Sequence, residues 1–161
     1  MPDLGQSLRL AMRRWSSGIT IVTAQHDGHR HGMTVSSFTS VSLQPPIVLV
    51  CIDRAARTHD LIQNSGQFAA CILHRDQQQL SDRFAGRLAD VSDRFEGIDV
   101  ETTPSGLSVP AGYLACMDCR LVASHMLSRS TVFLAEVDWV KLGPEGPPLL
   151  YYNQNYRFLD L

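Results

Sequence analysis

Lysine is almost missing from this chain of 161 residues: of its 14 basic side chains, only Lys141 is not an arginine. Guanidinium forks suit carboxylate and phosphate groups, so the bias lends slight support to an anionic ligand, although genome composition produces the same bias. There is no excess of positive charge. The net charge of -2 leaves no basic nucleic-acid footprint. No apolar run approaches the roughly 18 residues that suggest a membrane span. The chain does not open on a basic region followed by an apolar segment and a small-residue cleavage site, so no secretory signal is expected and the cytoplasm is the default compartment. Cysteine is scarce. Four, at positions 51, 71, 116 and 119, are too few and too scattered for a disulfide scaffold. Cys116 and Cys119 form a C-x-x-C, but no second pair completes a zinc site, and the segment is strand-like, which argues against a redox or metal role. The phosphate-loop, G-x-G-x-x-G, H-E-x-x-H and G-x-S-x-G signatures are also absent, which argues against the enzyme classes they mark.

What remains is an ordinary globular composition, 44% hydrophobic and 19% charged, best read as one domain over residues 1–161 that buries about two thirds of its unfolded surface. Leu4, Leu8, Ala11, Met12 and Trp15 recur at helical spacing and predict an amphipathic helix over 4–16, ended by Ser16-Ser17-Gly18. Ile19 to Ala24, a turn at His26-Asp27-Gly28 and extended chain from Gly32 predict a hairpin. Ile47 to Ile52 reads as a strand buried on both faces. A helix follows, with Thr58 as its expected N-cap and Leu61 and Ile62 facing inward, then a strand over 67–73. Asp76 is the expected cap of a second helix running to Arg87, with Leu80 and Phe84 as its apolar stripe. Residues 88–110 read as irregular chain, with one short strand at 98–101 and the potential to form a lid. Strands at 113–124, 131–142 and 148–152, with no helix between them, favour antiparallel pairing. Six or seven strands and about three helices make a mainly β fold, a closed or half-closed barrel with peripheral helices.

Two stretches carry candidate chemistry. The run Gly32 to Pro46, G-M-T-V-S-S-F-T-S-V-S-L-Q-P-P, holds five hydroxyls between 34 and 40, more than a core strand needs. Short donors beside backbone amides suit phosphate oxygens, ring carbonyls or ordered water. A solvated strand-to-turn segment closed by Pro45-Pro46 is the alternative. The second stretch, Asp53-Arg54-Ala55-Ala56-Arg57-Thr58, follows an apolar strand and opens a helix. It is either an anion site built on free amides and guanidinia or a plainly capped helix with solvated arginines. Together the two describe a flat, polar-edged ligand with a phosphate tail. His26, His29 and His31 cluster at the hairpin tip, as solvated loop histidines or as metal ligands.

S-G-I-T-I-V-T-A at 17–24, the Gly32 to Pro46 run, I-V-L-V-C-I-D at 47–53 and N-S-G-Q-F-A-A-C-I-L at 64–73 resemble the short-chain flavin reductase family. F-L-A-E-V at 133–137 and P-L-L-Y-Y at 148–152 continue the likeness in order along nearly the whole chain. The resemblance implies an FMN-binding split barrel of antiparallel Greek-key type, usually a homodimer. It also implies a reductase that uses NADH or NADPH to reduce FMN or FAD and passes the reduced flavin to a partner flavin-dependent monooxygenase. By position, Thr34, Val35, Ser36 and Ser37 would lie along the ring and ribityl chain, and Cys51, Ile52 and Asp53 would line the same pocket through their backbone. Ala56, Arg57 and Thr58 would hold the phosphate, with Phe84 and Arg87 near the end of the second helix.

One tripeptide departs from the family pattern. Where many relatives carry G-D-H near the nicotinamide, this chain has Ser128-Arg129-Ser130, and His125 lies too early to replace that histidine. Arg129 and Ser130, with Tyr152 and Tyr156, are the candidates on the nicotinamide side. No general acid, base or metal ligand is assigned. The departure also motivates an alternative reading, a flavin-binding carrier or sensor without nicotinamide turnover. An oxidase of the pyridoxamine-phosphate type uses a similar barrel, but the Gly32 to Pro46 run is closer to the reductases.

Overall fold

A computed structural model describes residues 3–88 and 91–159. The chain begins with α1 (Leu4–Met12), β1 (Ser17–Gly18), β2 (Thr20–His26), β3 (His29–Val35), β4 (Thr39–Leu43), β5 (Pro46–Asp53) and α2 (Arg57–Ser65). Next come β6 (Gln67–Ile72), a 3₁₀ turn (Arg75–Gln77), α3 (Gln78–Phe84), β7 (Val100–Thr102) and β8 (Ser108–Pro110). Two long strands, β9 (Ala115–Leu127) and β10 (Ser130–Leu142), then lead into β11 (Leu150–Tyr152) and β12 (Asn155–Arg157).

Seven of these strands form one antiparallel sheet in the order β3-β2-β6-β9-β10-β5-β4. Its edges, β3 and β4, are joined in the chain by Ser36, Ser37 and Phe38 alone. Laid flat, seven strands would hold those edges roughly 29 Å apart, while four Cα steps reach at most roughly 14 Å. The sheet therefore curls into a barrel. Neighbours distant in sequence, β2 with β6 and β10 with β5, give it Greek-key connectivity, and the unpaired edges β3 and β4 are the split.

The β2–β3 hairpin turns on Asp27 and Gly28, whose φ values of 49° and 77° suit a two-residue type I′ turn. Inside the barrel, Val22, Val35, Val50, Phe68 and Phe133 pack around Ile62 of α2. That helix is fastened to β10 by His59 Nε2 and Thr131 Oγ1, 2.8 Å apart and buried, and it ends at Gly66, with φ 72° in the left-handed region. A second cluster, Ile19, Ile21, Leu73, Phe84, Phe95 and Leu149, lies beneath α3 and the 93–98 segment. Among the described residues no helix is long and apolar enough to cross a membrane.

Several local expectations are corrected. The first helix stops at Met12, because Arg14 and Trp15 donate to Ala11 O and Met12 O in tight i to i-3 bonds. It is amphipathic, yet none of its residues is buried, and Leu4, Leu8 and Met12 are exposed together with Trp15 just beyond it. Strand β5 alternates: Val48, Val50 and Ile52 are buried while Ile47, Leu49 and Cys51 are only half-buried, since the pleat sends one set inward. Thr58 lies inside α2, and Ala56 holds the cap position without a side-chain bond. His74, not Asp76, caps the second helical segment, accepting from Asp76 N while Gln77 reciprocates on the His74 amide. Within 88–110, residues 89 and 90 lie outside the described residues. The strand expected at 98–101 runs over 100–102 and has a partner, β8, that sequence reasoning did not place.

Gly32 shows how tightly this end of the barrel is packed. A Cβ there would sit 2.7 Å from Phe84 Cε1 and 3.0 Å from Thr23 Cγ2. Both neighbours are buried. Gly32→Ala should therefore cost about 1–3 kcal/mol by overpacking, read as a fall in Tm of roughly 2–4 °C per kcal/mol; an unchanged melting curve would show that Phe84 yields freely.

Candidate functional site

A groove follows β3 along its length. Four cavities succeed one another in step with the strand. The first, about 240 Å³, borders Gly28 to His31; the second, about 620 Å³, borders His31 to Thr34 and reaches Ala55, Ala56 and Arg57. A small one of about 150 Å³ borders Thr34, Val35 and Ser36, and the last, about 750 Å³, runs from Ser36 to Thr39 beneath Arg13 and Trp15. Each shares residues with the next, so the hydroxyl-rich strand and the arginine-bearing helix start meet in one feature.

At the centre of the groove, two hydroxyls are spent on the fold. Thr34 Oγ1 donates to Ser81 O at 2.7 Å. Ser37 Oγ donates to Cys51 O at 2.8 Å and accepts from Cys51 N at 3.2 Å. Ser36 is exposed and has no side-chain partner among the described residues, so its hydroxyl faces the groove free. Helix α3 and the C-terminal strands make the opposite wall. Ser81 Oγ and Tyr156 OH lie 2.8 Å apart, Tyr156 OH donates to Asp82 Oδ1 at 2.8 Å, and Arg87 pairs with the same carboxylate at 2.8 Å. Burial, with the Asp82 carboxylate beside it, pushes the Tyr156 phenol up, so it stays a neutral donor.

The strand's other end is a cation pole. Arg57 begins α2 exposed, with no side-chain hydrogen bond or ion pair among the described residues. Arg94 enters from the irregular segment, and one of its terminal nitrogens donates to Gly32 O and Phe84 O, each at 2.8 Å. Burial, then the Arg57 charge, lowers its pKa. His31 Nδ1 lies 2.8 Å from Thr58 Oγ1. Burial, then the guanidinia of Arg94 and Arg57, pull the imidazole down to about 4, with Asp93 opposing them. The ring is therefore neutral at neutral pH. Arg83 straps the 94–96 segment down, donating to Arg94 O at 2.8 Å and to Glu96 O, and Arg30 pairs with Asp93 at 3.2 Å. Part of the segment expected as a lid thus forms a fixed wall.

Of the sequence candidates, Thr34, Val35, Ser36, Ser37, Ala56, Arg57, Phe84, Arg87 and Tyr156 all border the groove. Thr58 is fully buried and acts behind His31. Cys51, Ile52 and Asp53 do not line the four cavities. Ile52 points into the barrel, the Cys51 main chain is occupied by Ser37, and Asp53 accepts from Ala55 N at 2.9 Å. Arg129 and Ser130 lie at the β9–β10 turn, where Arg129 O accepts from Arg54 N at 2.8 Å and Ser130 pairs with Asp53. Tyr152 is exposed and does not line the cavities; its neighbour Tyr151 faces the groove instead, because successive strand residues alternate. His31, Arg94, Ser81 and Tyr151 also line the groove and were not among the flavin-side candidates. Only His31 carried a signal, its place two residues along the strand from His29.

Among the described residues no three His, Cys, Asp or Glu side chains converge as a metal site. Cys116 and Cys119, three apart on one strand, point to opposite faces and join different clusters. Cys116 instead meets Cys71 across the strands, Sγ to Sγ at 3.2 Å. Burial pushes the Cys71 and Cys119 thiols well up, away from the reactive thiolate.

Comparison with known proteins gives this geometry a family. Residues 12–160 match the model of the flavin reductase like domain. The reductase component of 4-hydroxyphenylacetate 3-monooxygenase from Thermus thermophilus is 33% identical over 154 residues, covering 96% of each chain. An NADH-dependent flavin reductase from a Rhodococcus species is 36% identical over 157 residues, covering 96% of this chain and 86% of that one. In three dimensions the flavin reductase PheA2 in its native state superposes with a TM-score of 0.89 at 36% identity, covering 100% of both chains.

The His31 environment predicts an acid-sensitive fold. Its folded pKa of about 4 lies below the ordinary 6.5. Between those values the unfolded imidazole takes up a proton that the folded one refuses, so its contribution is full above pH 6.5 and is lost as pH falls toward 4. Urea midpoints measured across this window should fall, and His31→Asn, which keeps a polar atom toward Thr58, should flatten the decline. A variant profile that falls as steeply as the native one would contradict this assignment.

Proposed function

This chain belongs to the flavin reductase-like family, and from that premise we propose that the β3 groove binds FMN or FAD for reduction by NADH or NADPH. The observation that carries this reading is the groove's polarity. A neutral stretch bordered by hydroxyls suits a flat heterocycle with polar edges, and the cation pole at its end suits a phosphate. When bound, the flavin supplies the hydride-accepting N5 atom.

The chain's own contribution is placement. Thr34, Val35 and Ser36 form the floor on which the ring lies, and the free Ser36 hydroxyl offers a hydrogen bond to the ring's polar edge. Arg57 and the Thr58-backed His31 take the phosphate. Tyr156 and Arg87, already tied to Asp82, form a rigid opposite wall. We assign no general acid or base, because hydride transfer between stacked rings needs orientation and exclusion of water rather than a protein proton. For the nicotinamide side, Arg129 and Ser130 lie where the β9–β10 turn meets Asp53 and Arg54, ahead of α2, and Arg129 is proposed to meet a phosphate of the electron donor. Reduced flavin then passes to a flavin-dependent monooxygenase, the kind of partner that the names of several relatives indicate. We place the reaction in the cytoplasm, where nicotinamide nucleotides are available.

A homodimer is part of this proposal. Leu4, Leu8 and Trp15 are 82%, 61% and 70% exposed, a poor arrangement for helix α1 and its exit in a lone chain. Light scattering should give the mass of two chains, and the double substitution Leu8→Glu, Trp15→Glu should weaken association by at least about tenfold. A native protein that runs as one chain would contradict the dimer.

The activity has its own test. Purified protein given catalytic FMN or FAD should oxidise NADH or NADPH in a flavin-dependent manner. No flavin-dependent oxidation with either donor would overturn the reductase reading.

A further inference from the structure

We propose that Arg13 sets which redox state of the flavin this groove prefers: its guanidinium, at the Trp15 end of β3, stabilises the negative charge that reduction places on the ring. This rests on the flavin reductase reading of the groove and adds to it the residue that favours the reduced ring.

The chemistry creates the need. As the donor's C–H bond breaks, its hydride carries two electrons and one proton to flavin N5, the donor leaves as a cation, and the neutral ring becomes an anion with its charge on the N1–C2=O edge. A fixed positive charge beside that edge stabilises the product and the transition state that leads to it. A cation already neutralised by a neighbour contributes little.

The groove offers cations at three places. Arg57 and Arg94 stand at the phosphate end, with the neutral His31. Beside the ring, Arg87 is paired with Asp82 at 2.8 Å, and Tyr156 donates to the same carboxylate. At the other end, Ser36 and Tyr151 border both the small cavity and the one of about 750 Å³, so the floor of the ring runs directly into a chamber lined by Arg9 and Arg13. Among the described residues no carboxylate borders that chamber.

Arg13 differs from its neighbours in how it is held. Its Nε is buried and finds no acceptor among the described residues. A buried donor left in this way is costly, and a charge with little water around it acts through a lower effective dielectric. Met12, Trp15 and Phe38 share the chamber and add apolar surface to it. The main chain is fixed as well: Arg13 N donates to Arg9 O at 3.1 Å, and Arg13 O accepts from Asn153 N at 3.0 Å, which ties the end of α1 to the turn between β11 and β12. In that turn Asn153 and Gln154 have φ 48° and 64°, as a two-residue type I′ turn requires. Arg9, four residues before Arg13, brings a second positive charge to the same helix face, and an anion nearby relieves the repulsion between them. A helix C-terminus attracts cations without any ligand, but that role needs no burial, and Arg14, exposed and outside the chamber, meets it equally well.

The test reads the potential of bound flavin with no nicotinamide present, by anaerobic reductive titration of the native protein and of three variants. Arg13→Gln should weaken the reduced state about tenfold relative to the oxidised one, a potential about 30 mV lower for this two-electron couple, while oxidised FMN or FAD binds as it does to the native protein. Arg13→Lys should recover most of the shift, and Arg14→Gln should keep the native potential. The native protein supplies a measurement that needs no variant to fold. The charged and titratable groups around the ring are Arg9, Arg13, Tyr151, Tyr156 and Arg87, with Asp82 behind the last two. The bound reduced ring should therefore stay ionised to a lower pH than free reduced flavin, read from its absorbance, because a nearby cation favours the charged form. A native potential in Arg13→Gln, an equal fall in Arg14→Gln, or a bound ring that takes up its proton at the same pH as free flavin would overturn the proposal. So would an Arg13→Gln protein that only raises KM for NADH or NADPH, since that would assign the side chain to the electron donor. If no flavin binds the native protein, the reductase reading itself fails, and this inference with it.

Discussion

Ser37 Oγ donates to the Cys51 carbonyl at 2.8 Å and accepts from the Cys51 amide at 3.2 Å. Main-chain pairing of β4 with β5 ends at Thr39 and Leu49, and two residues on the serine hydroxyl takes both hydrogen bonds that a continuing strand would have made. The chain is thereby released from β5 and crosses to the opposite edge of the sheet within three residues. The curl of the barrel, the split between β3 and β4, and the exposure of Ser36 all depend on that crossing. A hydroxyl that looked available for a ligand holds the frame in which a ligand can lie.

Much of the architecture was legible because it rests on period and punctuation. The Asp27-Gly28 turn, the apolar strands at 47–52 and 67–72, and the two long C-terminal strands all followed from alternation and turn chemistry. The small pieces were not legible. Strands β1, β8 and β12 are two or three residues long and exist only because a partner is present, so no local pattern marks them. Thr58 was misread because its helix opens two residues earlier than its hydroxyl suggested, with Ala56 rather than Thr58 at the cap, and the buried side chain meets His31 instead. The hydroxyl run announced that something polar lies near it, but not which hydroxyls were already committed. Thr34 and Ser37 could be sorted from Ser36 only once Ser81 and Cys51 were in place. Arg94, an arginine from the least regular segment, reaches the groove through long-range packing that sequence spacing does not encode.

The site divides chemical labour along one strand. Its centre is neutral, bounded by a phenol and by an arginine already paired with Asp82, so a ring can lie there without a charged group forcing a proton onto it. Its far end gathers Arg57, Arg94 and an imidazole that burial, and then their charge, keeps neutral. Such a pole is strained by itself and relieved by a phosphate-bearing ligand. The segment carrying Arg94 is held by Arg83 and Arg30, so the pole is preorganised. In the proposed binding mode, a phosphate held at that pole would set the register of the ring, and with it which edge of the ring meets Ser36.

The central claim is that β3 is the floor of the flavin site. A crystal structure with flavin soaked into the protein tests it most directly. The account predicts the ring against Thr34 to Ser36 and the phosphate at Arg57 and His31. A flavin bound away from β3, or one whose phosphate points toward Trp15 and Arg13 instead, would contradict it.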